Sequence, residues 1–294
     1  MISAEARPSS AELREQAVQV REPARIGRWL GLVAVALGVT WLGYQALTNP
    51  GFKWGIVGEY MLEGSVIRGV LMTLELTALV MIIGAIVGVL VALMRLSGDP
   101  VLGFVARSYV WFFRGTPVLV QLVFWYNLST LFPELQLGIP FNGPKLFEIP
   151  ATVAISSFTA AMLGLGLNEG AYMAEIIRGG LLSVDNGQTD ASRALGHKPW
   201  QTFTIVVLPQ AMRSIVPPTG NQVIGMLKYT SLASVVALGE LMHSVELIYA
   251  RNFETMPMLV VAALWYLILV SVLSAAQHMV ENYYGRGSNP SEAR

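Results

Sequence analysis

The sequence predicts an all-α membrane protein with about six transmembrane helices. Three observations predict it. The 294 residues are 54% hydrophobic and 13% charged, against about 25% charged in an ordinary soluble domain. Charge-free runs cover 29–52, 76–94, 115–133, 149–168 and 255–280; at about 1.5 Å per helical residue each crosses most or all of a hydrocarbon core about 30 Å thick. A sixth apolar stretch, 219–240, is interrupted by Lys228. Backbone groups in lipid must be satisfied internally, so these spans are helices, and no alternating barrel pattern competes.

Lys and Arg orient the spans. Arg7, Arg14, Arg21, Arg25 and Arg28 precede the first. Arg95, Arg107 and Arg114 fall in a loop near 95–114. Arg178, Arg193, Lys198 and Arg213 belong to a long polar loop, and Arg286 and Arg294 to the C-terminal tail. The alternate loops hold Lys53, Arg68, Lys145 and Arg251. With six spans, the bias of fourteen to four places both termini and the long loop in the cytoplasm.

The first span, about Leu30–Leu47, follows a long charged tail and ends in Thr48-Asn49-Pro50-Gly51, a turn more than a cleavage site. It reads as a retained anchor and not a signal peptide. Glu75 opens the second span, either facing its interior or at the outer headgroup level. Gly84-x-x-x-Gly88, continued by Ala92, marks a close helix-packing face. The fourth carries Glu169, then Glu175 with Arg178 at i,i+3, a pair that structure alone can explain.

The loop that follows encodes two short helices. Asp185-Asn186-Gly187 is a turn, and Thr189 or Asp190 caps the first helix. Ala191, Ala194 and Leu195 fall at i, i+3 and i+4 as a small-residue face. Gly196 suits a C′ position with positive φ. Pro199 fits the first turn of the second helix, whose apolar face is Trp200, Phe203 and Val207 and which Pro209 disrupts. Such a loop either receives another protein surface or lies on the lipid interface. Pro217-Pro218 reads as a break before the fifth span, where Lys228 lies beside Asn221, Gln222, Thr230 and Ser231. An ionisable group inside a membrane is by default a functional candidate. Glu169 and Lys228 are such candidates, with pairing to each other as the structural alternative.

No self-contained chemistry is visible. Without Cys, disulfides, iron–sulfur clusters and thiolate metal sites are excluded. His197, His243 and His278 fall at three different levels of the topology and cannot readily converge on a metal or a triad. No Lys follows a Gly, so there is no P-loop, and no Gly-x-Ser-x-Gly elbow occurs.

Asp190-Ala191-Ser192, three residues, Gly196, nine residues, then Val206-x-Leu208-Pro209 resembles the EAA motif of ATP-binding-cassette importer permeases. It departs with Asp for Glu at 190, Ser for the second Ala at 192 and Val for Ile at 206. Arg114-Gly115-Thr116-Pro117 with Gln121, Ala171-Tyr172-Met173-Ala174-Glu175 with Arg178-Gly179-Gly180, and Leu227-Lys228-Tyr229-Thr230-Ser231-Leu232 resemble three segments of the polar amino-acid members of that family. The resemblance spans about 66–284. It implies a five-helix type I core, with an additional N-terminal helix and outer loop at 29–65. Tails at 1–28 and 285–294 and a coupling loop at about 179–213 complete the division.

The resemblance implies a permease working as a homo- or heterodimer. Two cytoplasmic ATP-binding subunits, which hold the ATP and Mg, would drive it, and an extracytoplasmic binding protein would deliver the amino acid. Coupling falls to Asp190, Ala191, Ser192, Ala194, Leu195 and Gly196, supported by Leu208 and Pro209. Glu169, Lys228, Gln121 and Glu75 are the candidates for the substrate pathway, Glu169 for the ammonium and Lys228 for the carboxylate of a zwitterionic amino acid. This chain itself would bind no cofactor, and beyond these proteins its remaining partner is membrane lipid, with no nucleic acid. The alternatives are a self-sufficient secondary transporter or channel, which would predict inverted repeats not visible here, and a membrane enzyme, which lacks a catalytic set.

Overall fold

A computed structural model of the protein describes residues 25–138 and 145–284. Of the tails expected at 1–28 and 285–294, residues 1–24 and 285–294 lie outside the described residues, and 25–28 already belong to the first helix. The chain divides into two units, Met1–Lys53 and Trp54–Arg294. In the first, helix α1 (Arg25–Thr48) carries an apolar run from Gly27 of 22 residues, about 33 Å of helix. It ends where Asn49 accepts a hydrogen bond from the Gly51 N–H at 2.8 Å and caps the turn Pro50–Phe52.

The second unit is built around α3 (Gly64–Leu96) and α6 (Ser157–Leu182). It begins with α2 (Trp54–Tyr60). Glu63 caps α3, accepting from the Ser65 and Val66 N–H groups. The Ser65 hydroxyl, followed by these N–H groups, holds the Glu63 carboxyl below its usual range. The Gly84/Gly88/Ala92 face of α3 packs on α6 within this chain. A Cβ at Gly84 would lie 2.6 Å from Glu169 Cγ, and one at Gly88 2.5 Å from Met173 Cβ. Gly88→Leu is therefore expected to destabilise the helix pair by about 1–3 kcal/mol or more, because the two backbones must separate. Thermal unfolding in detergent measures this. Beside the contact lies a core of Leu76, Val80, Leu122 and Leu165, and a second cluster joins Val66 and Val70 to Leu241, Val245, Met258 and Val261.

Several boundaries differ from the sequence expectation. Residues 95–114 are largely helical: α4 spans Pro100–Gly115, with Asp99 as its cap. The run 115–133 is not one span. It breaks at Thr116-Pro117, resumes as α5 (Val118–Tyr126), and gives way after the turn Leu128–Leu131 to strand β1 (Glu134–Gly138). Strand β2 (Lys145–Pro150) pairs antiparallel with it, Gln136 opposite Glu148 and Leu137 opposite Phe147. Polar and apolar residues alternate through Glu134-Leu135-Gln136-Leu137, the period of a strand, which a search for apolar length overlooks. The run 149–168 accordingly starts in β2, and its helix is α6, displaced towards the C-terminus.

The expected proline break is also absent. Helical structure continues from Pro199–Gln201 through a π turn (Thr202–Val207), α8 (Leu208–Tyr229) and a 3-10 segment (Thr230–Val236). Pro209 lies in the first turn of α8, directly after the wide turn in which the Leu208 N–H bonds the Phe203 carbonyl. Such a turn fits beside a residue with no N–H to donate. Pro217 and Pro218 lie inside α8. The carbonyls they leave without a helical donor are those of Arg213 and Ser214; Thr219 Oγ1 donates to the neighbouring Ile215 carbonyl at 2.8 Å and Gln277 Nε2 to the Pro217 carbonyl at 2.9 Å. After a left-handed Ala237 (φ 57°), α9 (Leu241–Asn252) and α10 (Thr255–Tyr284) follow.

By length and composition, three described helices suffice to cross a membrane: α1 from Gly27, α3 and α10. The run Pro199–Val236 with α9, bent by 46°, makes a fourth. The class is the expected helical membrane fold, with fewer uninterrupted apolar helices than six among the described residues.

Candidate functional site

The break after α4 builds one wall of a cavity. Thr116 is extended (φ −110°, ψ 143°) and Pro117 follows at φ −62°, ψ 133°. Pro117 has no N–H, so the Phe113 carbonyl lacks its helical donor. Two buried amides replace it: Gln121 Nε2 at 3.0 Å and Asn168 Nδ2 at 2.7 Å. Gln121 also donates to the Thr116 carbonyl at 3.1 Å and to Thr116 Oγ1 at 2.6 Å. This explains why Arg-Gly-Thr-Pro is followed by a glutamine. Gln121, a candidate for the substrate pathway, is here spent on the backbone and lies outside the cavity lining. Gln121→Leu is expected to cost about 1–3 kcal/mol, the penalty for stranding a buried acceptor. A lowered melting temperature in detergent checks it.

The cavity, of about 360 Å³, is lined by Arg114, Thr116, Asn168, Glu169, Tyr172 and Gln222 among others. A neighbouring one of about 440 Å³ shares Arg114, Tyr172 and Gln222 and adds Glu175, Pro218 and Asn221. The Arg114 guanidinium lies over the Tyr172 ring, 5.0 Å from its centroid, a cation–π contact. Glu169 is 2% exposed, and its Oε1 has no hydrogen-bond partner among the described residues. A buried carboxylate oxygen without a partner is costly and invites one. Arg114 and Glu169 thus line one cavity, a cation and a carboxyl group whose Oε1 is buried without a partner.

The other candidates lie elsewhere. Glu175 accepts from Arg178 at 2.8 and 3.1 Å and also pairs with Arg95 at the end of α3. It ties two helices together, beyond the local pair its spacing suggested. Lys228 and Glu75 are exposed on α8 and α3, and neither lines these cavities. Lys228 is not brought to Glu169. Sequence reasoning passed over Asn168, which directly precedes Glu169, and treated Gln222 as a neighbour of Lys228. Arg95 counted only as an orientation charge.

The long loop forms a second candidate region. Helix α7 (Asn186–Ala194) is capped by Asp185, which accepts from the Gly187 N–H at 2.7 Å. Neither Thr189 nor Asp190 caps it, because the Asp-Asn-Gly turn is already its first turn. Gly196 has φ +82° as expected, and its N–H bonds the Arg193 carbonyl at 2.9 Å. Ala191 and Ala194 are exposed, and Leu195 is 78% exposed. Asp190 faces Arg193 at 3.7 Å on the surface. Trp200 and Phe203 are also exposed, so the apolar face of the second loop helix is turned outward. Leu208 is half-buried and Pro209 exposed.

Residues 82–283 match the family described as binding-protein-dependent transport system inner membrane component. The chain is 40% identical over 289 residues to the arginine transport system permease protein ArgU of Corynebacterium glutamicum, covering 96% of this chain and 87% of that protein. It is 36% identical over 208 residues to the glutamine transport system permease protein GlnP of Escherichia coli K12, covering 71% and 87%. Among solved structures, a chain of an amino acid ABC transporter with histidines superposes with a TM-score of 0.63 at 33% identity, covering 74% of this chain and 94% of that one. A chain of the inward-facing MetNI methionine ABC transporter shares the fold, with a TM-score of 0.60 at 21% identity over 75% and 96% of the two chains.

Proposed function

The chain belongs to the binding-protein-dependent transport system inner membrane components, and on that premise we propose that it carries a polar amino acid across the membrane for an ATP-driven importer. Two ATP-binding subunits, holding ATP and Mg, drive a pair of permease subunits, one docking on the exposed face of α7. A binding protein delivers the amino acid on the opposite side, and a second permease subunit completes the pathway. The termini and the loop are cytoplasmic. Residues 66–284 form the permease, 29–65 an added helix and outer loop, and 1–28 and 285–294 the tails. In this reading Glu169 takes the ammonium group and Arg114, held over Tyr172, takes the carboxylate. Arg114 replaces Lys228 in that role because it shares the cavity with Glu169.

One cavity lining that holds both Arg114 and Glu169, whose buried Oε1 is unpartnered, carries the substrate reading. The relatives named for arginine and glutamine transport support a polar amino acid as cargo. Purification from native membranes in mild detergent tests the whole. The expected result is a co-purifying P-loop ATPase, stimulated by a binding protein loaded with one amino acid. Uptake by the purified chain alone in vesicles, with no ATPase attached, would overturn the proposal.

A further inference from the structure

The joint between α7 and the π turn has no apolar core. Among the residues of α7, Ser192 alone is buried, and in the π turn Thr202 alone. Each is 3% exposed. They face each other, with Ser192 Oγ 3.0 Å from Thr202 Oγ1 and 3.0 Å from His197 Nδ1. The His197 N–H donates to the Ser192 carbonyl at 3.3 Å, closing the turn across Gly196. The apolar side chains nearby, Leu195 and Trp200, are exposed.

A hydroxyl carries one donor and two acceptor positions, so Ser192 serves both partners at once whichever tautomer His197 adopts. With no apolar side chain buried at the joint, these hydrogen bonds fix the rotation of α7 about its own axis. That rotation decides whether Ala191, Ala194 and Leu195 face outward. The serine stands where the EAA pattern has an alanine, which has no hydroxyl to offer. We propose that Ser192, Thr202 and His197 are positioning residues that lock the face α7 presents to an ATP-binding partner. The inference rests on the coupling role proposed for this loop.

The test uses the complete transporter with its ATP-binding subunits in vesicles and reads amino-acid uptake per ATP hydrolysed. Thr202→Val keeps the shape and removes the hydroxyl. It is expected to lower the ratio about fivefold, the population change a net hydrogen bond can produce, while Thr202→Ser restores it. A wild-type ratio in Thr202→Val overturns the lock. Loss of the ATP-binding subunits from Thr202→Val and not from Thr202→Ser supports it, and loss from both overturns it, since shape and not the hydroxyl would then matter. Ala194→Trp separates this inference from its premise. Full coupling in Ala194→Trp defeats the docking role itself. An uncoupled Ala194→Trp beside a normal Thr202→Val defeats the lock alone.

Discussion

Ala194→Trp is expected to lower ATP-driven uptake more than tenfold while the transmembrane helices stay folded. Ala194 is exposed on α7 together with Ala191 and Leu195. Small side chains let a partner surface approach closely, and an indole at their centre forces the two surfaces apart. A displacement of about 1 Å at a packed contact can cost on the order of 100-fold in a positioned reaction. Gly196→Arg is expected to act in the same direction by another route, because Gly196 has φ +82° and any side chain there is strained. Reconstituted vesicles supply the measurement: uptake and ATP hydrolysis together, with helix content followed by circular dichroism. Normal uptake by a folded Ala194→Trp protein would remove the docking role from this face.

The second large effect is expected from Glu169→Gln. The substitution keeps the shape of the side chain against Gly84 and removes the negative charge. A hydrogen bond to a charged group contributes about 1.5–3 kcal/mol, so uptake should fall roughly 10- to 100-fold at limiting substrate. Assembly with partner subunits should be retained, because Glu169 lies in the cavity wall and not on the loop. Unchanged affinity and rate in this variant would make Glu169 a packing residue. The buried oxygen would then need another partner, such as a water in the cavity.

The sequence made the loop more legible than the cavity. Gly196, Pro199 and the i, i+3, i+4 set at Ala191, Ala194 and Leu195 are local signals, and the backbone obeys local rules at those positions. The cap was misplaced by several residues because an Asp-Asn-Gly turn and a helix start use the same side-chain oxygen in the same way. The cavity depends on tertiary relations. That Gln121 and Asn168 both serve the Phe113 carbonyl follows from Pro117, yet nothing local says that residue 168 lies beside residue 113. The prolines misled for a related reason. A helix interior rejects proline on propensity alone, whereas here a π turn stands before Pro209 and the helix runs on through the pair at 217–218. Lys228 fell on an exposed face because an apolar stretch gives its helical content without saying which side packs.

The loop joins two helices that both line the cavity. Helix α6 bears Asn168, Glu169 and Tyr172 and runs into the loop at Leu182. The helical run from Pro199 leaves the loop and bears Gln222, Met226 and Tyr229. Cavity and loop are therefore joined through the chain like the jaws and the handle of one pair of tongs, and on the proposed docking a change of angle at one would reach the other. Thermodynamic linkage makes such coupling mutual for binding. If a filled cavity raises a partner's affinity for the handle about tenfold, the docked partner must raise the cavity's affinity for its cargo by about the same factor. On the proposed docking, the grip on the cargo and the grip on the partner would be one equilibrium, measurable from either end.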